Sequence, residues 1–274
     1  MANYTAADVK SLREKSGAGM MDCKSALDEA EGNVEKAFEV LRLKGLKGVS
    51  KREGRATSNG LVVARVSGGT GYLIELACET DFVAKAERFV AMGEEIADAI
   101  VAASAKDLAS SLSAPLKGKT VADAINDEAA VLGEKVELRR VASVSDVAVD
   151  AYLHRTSKDL PPQVGVLVAF DGNAETAHDV AVHIAAFSPS VLSRDEISSE
   201  TVETERRIAE ETAKNEGKPE AALPKIIEGR VNGFFKENVL LEQDFAKDNK
   251  LSVQKVLDQS STKVSAFLRF RVGA

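Results

Sequence analysis

The sequence predicts an α+β protein made of a three-helix N-terminal unit, a core of two related α+β subdomains and an inserted antiparallel helical hairpin. Three observations predict it. Residues 1–55 repeat apolar side chains at helical spacing, with no strand-like run among them. β-rich runs leading into an amphipathic helix then occur twice, first at "GLVVARV" and "GYLIEL" and again at "VGVLVAF". Finally, the charged stretch from Ser198 to Lys236 reads as two helices joined by "GKP". The expected parts are therefore residues 1–55, 56–145, 146–197 with a return over 237–274, and 198–236 for the hairpin.

The elements follow in order. Thr5 can cap a helix running to about Ser16, "GAG" turns the chain, and Met20 to Glu31 forms a second helix. A third follows "EGN" from Val34 to Lys44, with Val34, Ala37, Phe38 and Leu41 on one stripe. Met20 and Met21 are adjacent and cannot both face one small core, so one is expected at the surface. An adaptable apolar side chain there suits a partner interface; a turn residue packed against the neighbouring helix is the alternative. The segment "KGLKGVSKREGRATSNG" holds Lys44, Lys47, Lys51, Arg52 and Arg55 among glycines and serines and reads as a solvated linker.

Beyond it, the two strands meet at "SGGT", a short glycine turn of hairpin type, and a helix capped by Thr80 extends to about Ala103. "TVADAINDEAAVLG" is a helix capped by Thr120 and leads to the strand "VELRRVASV". The second cycle runs from "VGVLVAF" through "DGNAET" to the helix "AHDVAVHIAAF". After the hairpin, whose sparsely apolar first arm should project from the body, "VSAFLRFRV" closes the chain as a strand alternating Val264, Ala266, Leu268 and Phe270.

Composition narrows the function. A net charge of -7, with one basic run confined to the linker, argues against direct nucleic-acid binding. No apolar run approaches the roughly 18 residues that span a bilayer, and the charged N-terminus is unlike a signal peptide, so a cytoplasmic protein with no membrane contact is expected. Cys23 and Cys78 lack metal-ligand spacing and read as buried reduced thiols. His178 and His183 lie five apart, which splays them around a helix, and structural roles are expected for both. "GKT" at Gly118 to Thr120 lacks the earlier glycine of a phosphate loop, and "SGGTG" is followed by no helix. With no nucleophile elbow, metalloprotease helix or paired-cysteine motif either, no enzyme chemistry, cofactor or metal is expected.

Two segments remain, "LREKSGAGMMDCKSAL" and "ELACETDFVAK". Both resemble the signature segments of bacterial elongation factor Ts, the nucleotide-exchange factor of the translation GTPase elongation factor Tu, in that family's order and spacing. The resemblance covers the whole chain, with Ser16 for a usual Thr and Ala77 for a usual Asn or Val as small departures. It implies a ubiquitin-associated-like three-helix domain, the two-part core and the coiled-coil hairpin. It also implies binding to the GDP-bound GTPase, expulsion of GDP, and release when GTP enters.

From spacing alone, Phe82 fits a buried stripe with Phe89 and Ile96, and Asp81 fits the favourable first turn of a helix. The resemblance implies otherwise: Thr80, Asp81, Phe82 and Val83 would form the element that enters a cleft of the GTPase near its Mg²⁺, with Phe82 as a wedge. It further implies contacts at Met20, Met21 and Lys24, at Leu132 and Gly133, and at His154, which precedes an apparent insertion, "RTSKDLPP". The assembly could be a heterodimer or heterotetramer with elongation factor Tu, or a dimer through the 198–236 hairpin. Two other readings compete, a non-catalytic protein-binding module carrying a ubiquitin-associated-like domain, and a small-molecule enzyme using carboxylates.

Overall fold

Three helices open the chain in the computed structural model, which describes residues 3–16 and 18–274: α1 (Ala6–Ser16), α2 (Met20–Glu29) and α3 (Val34–Arg52). The turn expected at Gly17 lies outside the described residues. Thr5 starts α1 as expected, its Oγ1 accepting from the Asp8 amide (3.2 Å) while the Asp8 carboxylate accepts from the Thr5 amide (2.7 Å). The helices close on Leu12, Cys23, Ala26, Leu27, Ala37 and Leu41.

The expected linker is mostly helix. α3 continues to Arg52 and packs on α7 (Val121–Leu132), leaving only residues 53–58 to connect it to the first strand. Gly45 explains the difference. A Cβ placed there would fall 1.7 Å from the Ala130 carbonyl oxygen of α7, so the glycine that lowers helix propensity is what lets the two backbones touch.

The first half of the core is the hairpin β1 (Asn59–Ser67) and β2 (Thr70–Cys78), then α4 (Asp81–Ala84), α5 (Glu87–Ala102), α6 (Leu108–Leu112), a small hairpin β3 (Pro115–Leu116) and β4 (Lys119–Thr120), α7, and β5 (Val136–Ser145). Gly68 and Gly69 make the β1–β2 turn with φ of 56° and 77°, the left-handed pair that a two-residue hairpin turn needs. The "GKT" segment is a second such turn, through Lys117 and Gly118, whose Thr120 then caps α7.

The second half repeats the plan with β6 (Ala148–His154), β7 (Val164–Asp171) and α8 (Ala174–Phe187). The antiparallel pair α9 (Ser199–Asn215) and α10 (Leu223–Asn238) follows, then a short β8 (Asp244–Phe245), β9 (Asp248–Ser252), α11 (Val253–Gln259) and β10 (Lys263–Arg271). Each half thus places a returning strand beside the second strand of its hairpin, giving antiparallel sheets in the orders β1-β2-β5 and β10-β7-β6. β6, whose "AVDAYLH" shows no clean apolar–polar alternation, was not foreseen, nor were the short elements α6, β3, β4, β8, β9 and α11, which are too brief to set up a period.

The sheets face each other across Val62, Leu73, Leu167 and Phe270, while α5 and α7 cover the outer face of the first and α8 and α11 that of the second. Glycines allow the close approach: a Cβ at Gly165 would lie 2.5 Å from Val62 Cγ1. Glu75, fully buried on the inner face of β2, accepts from Arg140 Nε (2.6 Å) and from the Gly273 amide (3.3 Å), so this buried carboxylate is charge-paired. The last strand departs from simple alternation. A register shift between Val264 and Ala266 turns Val264 and Phe267 toward α8 and α11, and Leu268 and Phe270 toward the other sheet. Among the described residues no helix is long and apolar enough to cross a membrane.

Both cysteines are buried free thiols, as expected. His183 is buried too: its Nδ1 accepts from the Ala246 amide (3.2 Å), leaving Nε2–H to donate to Gln243 Oε1 (2.8 Å).

Candidate functional site

β2 ends at Cys78, and the chain turns through Glu79 and Thr80 into the single turn of α4. Two hydrogen-bond systems fix that turn. Thr80 Oγ1 caps α4 by accepting from the Val83 amide (3.3 Å), and the Glu134 carboxylate accepts from both the Thr80 amide (3.0 Å) and its hydroxyl (2.6 Å). Glu79 in turn accepts from the Lys135 amide (2.6 Å) and the Arg55 guanidinium (3.2 Å). Below them the Cys78 thiol donates to the Thr80 carbonyl (3.3 Å), and burial pushes its pKa up to about 12.

Glu134 and Lys135 follow the end of α7, where Gly133 adopts φ 76° and terminates the helix. The structure therefore brings Gly133 and Thr80 to one place. Sequence reasoning found both but missed Glu134, which joins them, because a carboxylate after a helix end carries no periodic signal.

The helix expected from Thr80 to Ala103 is two helices. Lys85 ends α4, and Ala86, with φ -67° and ψ 129°, is extended and starts α5 afresh. That break interrupts the seven-residue spacing of Phe82, Phe89 and Ile96, leaving Phe89 and Ile96 fully buried and Phe82 50% exposed. The buried-stripe reading of Phe82 is overturned by this kink. Asp81 is exposed beside it, with Lys85 Nζ 3.4 Å from its Oδ2 and 5.7 Å from the Phe82 ring centroid. From α1, the Arg13 guanidinium carbon lies 5.4 Å from the same centroid. The site thus presents a carboxylate and a half-exposed ring flanked by two cations.

Two residues expected in the contact set do not offer their side chains. Val83 points back into the core beneath α4, and Leu132 packs in the same cluster, so Gly133 is what the end of α7 exposes. Met20 and Met21 are both exposed, at 59% and 74%, correcting the expectation of one; Cys23, on the opposite face of α2, fills the three-helix core instead. Lys24 is exposed on the same helix. An open cleft of about 200 Å³, lined by Asp22, Ser25, Gly45, Ala130 and Gly133, separates α2 from the end of α7. His154, exposed at the end of β6, has its Nδ1 3.1 Å from the Tyr152 hydroxyl, and no hydrogen bond or ring contact joins it to α4 among the described residues.

A double α+β core carrying a charged helical pair, with a braced one-turn helix that shows an aromatic and a carboxylate at its surface, defines the class of fold. Comparison with known proteins names it. The family described as "Elongation factor TS" matches residues 79–274. The chain is 59% identical to "Elongation factor Ts" of Renibacterium salmoninarum and 58% identical to that of Micrococcus luteus, in each case over the full length of both chains. That of Paenarthrobacter aurescens is 57% identical, again over all of both. The chain belongs to the elongation factor Ts family of translation elongation factors.

Proposed function

We propose that this chain is the nucleotide-exchange factor of the GTPase elongation factor Tu, with Asp81 and Phe82 as the element that disturbs the GTPase's Mg²⁺ and phosphate site. The observation that carries the reading is the exposure of Phe82. A large aromatic is held half in solvent by a helix break that a continuous apolar stripe would have avoided, and an exposed ring on a rigid turn costs solvation unless a partner covers it. The bracing by Glu134 and Thr80 supplies the rigidity a wedge needs.

The mechanism follows from linkage. A partner that favours a distorted nucleotide site weakens GDP binding by the factor by which GDP weakens the partner, so incoming GTP can displace the exchange factor. About 4 kcal/mol of such coupling shifts nucleotide affinity roughly a thousandfold. In this reading Phe82 spreads the cleft that it enters, and the Asp81 carboxylate perturbs the metal's surroundings. Met20, Met21, Lys24, Gly133 and His154 are further contacts of the same partner, and the parts 1–55, 56–145, 146–197 with 237–274, and 198–236 are its working units.

The test is release of a fluorescent GDP from elongation factor Tu on mixing with this chain in a stopped-flow instrument. Accelerated release that is lost in Phe82→Ala supports the reading. Binding without acceleration, or acceleration that Phe82→Ala leaves intact, overturns it.

A further inference from the structure

The geometry points to Arg88 as a positioning residue, which locks the three-helix unit to the core so that the Met20–Met21 face and the Asp81–Phe82 turn meet one partner in fixed register. This inference rests on the exchange reading above. Arg88 stands in the first turn of α5, three residues beyond Lys85, where the chain has just left α4. Its guanidinium forms a two-point pair with Glu128 of α7, Nη2 lying 2.9 Å from Oε2 with Nε on Oε1. The remaining arm, Nη1, donates to the Lys15 carbonyl (3.2 Å) at the end of α1, and the Phe38 ring of α3 lies 5.1 Å from the guanidinium carbon. One side chain therefore touches α1, α3 and α7 from the element next to the wedge.

Each contact has a physical reason to be an arginine. The planar fork satisfies both carboxylate oxygens at once and keeps an N–H free in a fixed direction, which an ammonium on a flexible stem cannot do. Lys15 O is among the last carbonyls of α1, which have no partner within the helix and sit at the negative end of its dipole, so Arg88 serves as a C-terminal cap supplied by another part of the molecule. Glu128 is mostly covered, and the pair is less screened than a surface ion pair.

The consequence concerns affinity. Arg13, two residues before Lys15 on α1, stands over Phe82, and Met20 and Met21 open α2 just after α1 ends. Two contact faces held in register engage one partner as a single preorganised surface, whereas faces free to move must be ordered at the moment of binding. The partners of Arg88 are Glu128, Lys15 and Phe38, none of them a proposed contact, so its loss should weaken association without altering what the wedge does once seated.

The experiment measures GDP release from elongation factor Tu against the concentration of this chain, for the parent, Arg88→Met, Met20→Ala/Met21→Ala, and the combination. Arg88→Met is expected to raise the half-saturating concentration about tenfold while leaving the maximal release rate within about twofold, and to add little in the double-alanine background, since the two changes remove one shared benefit. Additive effects, or a fall in maximal rate at unchanged half-saturation, would overturn the inference. A second measurement is independent of the partner: spin labels at Lys10→Cys on α1 and Lys106→Cys in the core should give one narrow distance in the parent and a broadened one in Arg88→Met. An unchanged distribution overturns the role of Arg88. A parent chain that shows the narrow distance yet accelerates no release refutes the exchange reading and leaves the clamp standing. Should Arg88→Met fail to fold, Arg88→Lys takes its place in both measurements, because it keeps a cation for Glu128 but lacks the fork.

Discussion

Arg13 of α1 lies over the ring of Phe82 of α4, its guanidinium carbon 5.4 Å from the ring centroid. The ring is thus steadied by a neighbouring cation and only half by burial, and such a contact at an exposed site contributes only ~0.5 to 1 kcal/mol. Phe82→Ala should accordingly destabilise the chain by less than ~1.5 kcal/mol, where a core phenylalanine would lose about 3 to 5 kcal/mol. It should also slow GDP release from elongation factor Tu by about tenfold or more, which corresponds to ~1.4 kcal/mol or more of lost coupling. Denaturant unfolding and stopped-flow release, run on the same preparation, check both halves.

Asp81→Ala tests the electrostatic part of the mechanism. The lost carboxylate pairs with Lys85 and meets the start of a helix, together ~0.3 to 1 kcal/mol of stability. Its effect on GDP release should be greater with Mg²⁺ present than with Mg²⁺ chelated. Equal slowing under both conditions would remove the metal from the account.

Thr80 is a brace, and Thr80→Ala should cost ~1 to 2 kcal/mol because Val83 N–H loses its cap and Glu134 loses its hydroxyl donor. Thr80→Ser keeps both bonds and should restore the unfolding midpoint and the release rate together. Restoration of stability without restoration of rate would show that the threonine methyl, and not the hydroxyl, matters to the partner.

Gly45→Ala places a methyl group inside the Ala130 backbone, so α3 must move off α7. A loss of ~1 to 3 kcal/mol is expected from such overpacking. Limited proteolysis should show faster cleavage between α3 and β1 than in the parent. Parent-like resistance would mean that the two helices part easily in solution.

His183 gives the chain a pH dependence. Burial holds its pKa below the ordinary 6.5, so the unfolded chain takes up the proton first. Stability is then full above about pH 6.5 and declines as the pH falls below it toward the depressed folded value. Urea midpoints measured between neutral and mildly acidic pH should drop for the parent, and His183→Gln should flatten that part of the profile.

Local sequence determined much of this molecule. Periodicity gave the helices of residues 6–44, the β1–β2 hairpin with its two glycines, α7 with its Thr80-like cap at Thr120, and the charged pair α9 and α10, because each follows from side chains that see mainly their near neighbours. The motif around Asp81 and Phe82 was also legible, though only as a resemblance.

What the sequence could not decide was where a local preference loses to a distant partner. The glycines after Lys44 read as a linker, and only the backbone of Ala130, some 85 residues on in the chain, turns Gly45 into a helix contact. The seven-residue spacing placed Phe82 with Phe89 and Ile96, and the break at Ala86 re-aimed it, while Val83 and Leu132 proved to face inward. Glu134, Arg13 and Arg88 escaped notice for the same reason: a charged side chain carries no period, and its role is set by which carbonyl, ring or hydroxyl the folded chain delivers to it. Pattern fixes which face of an element is apolar, whereas the aim of a single exposed ring depends on contacts between elements that meet only once the chain has folded.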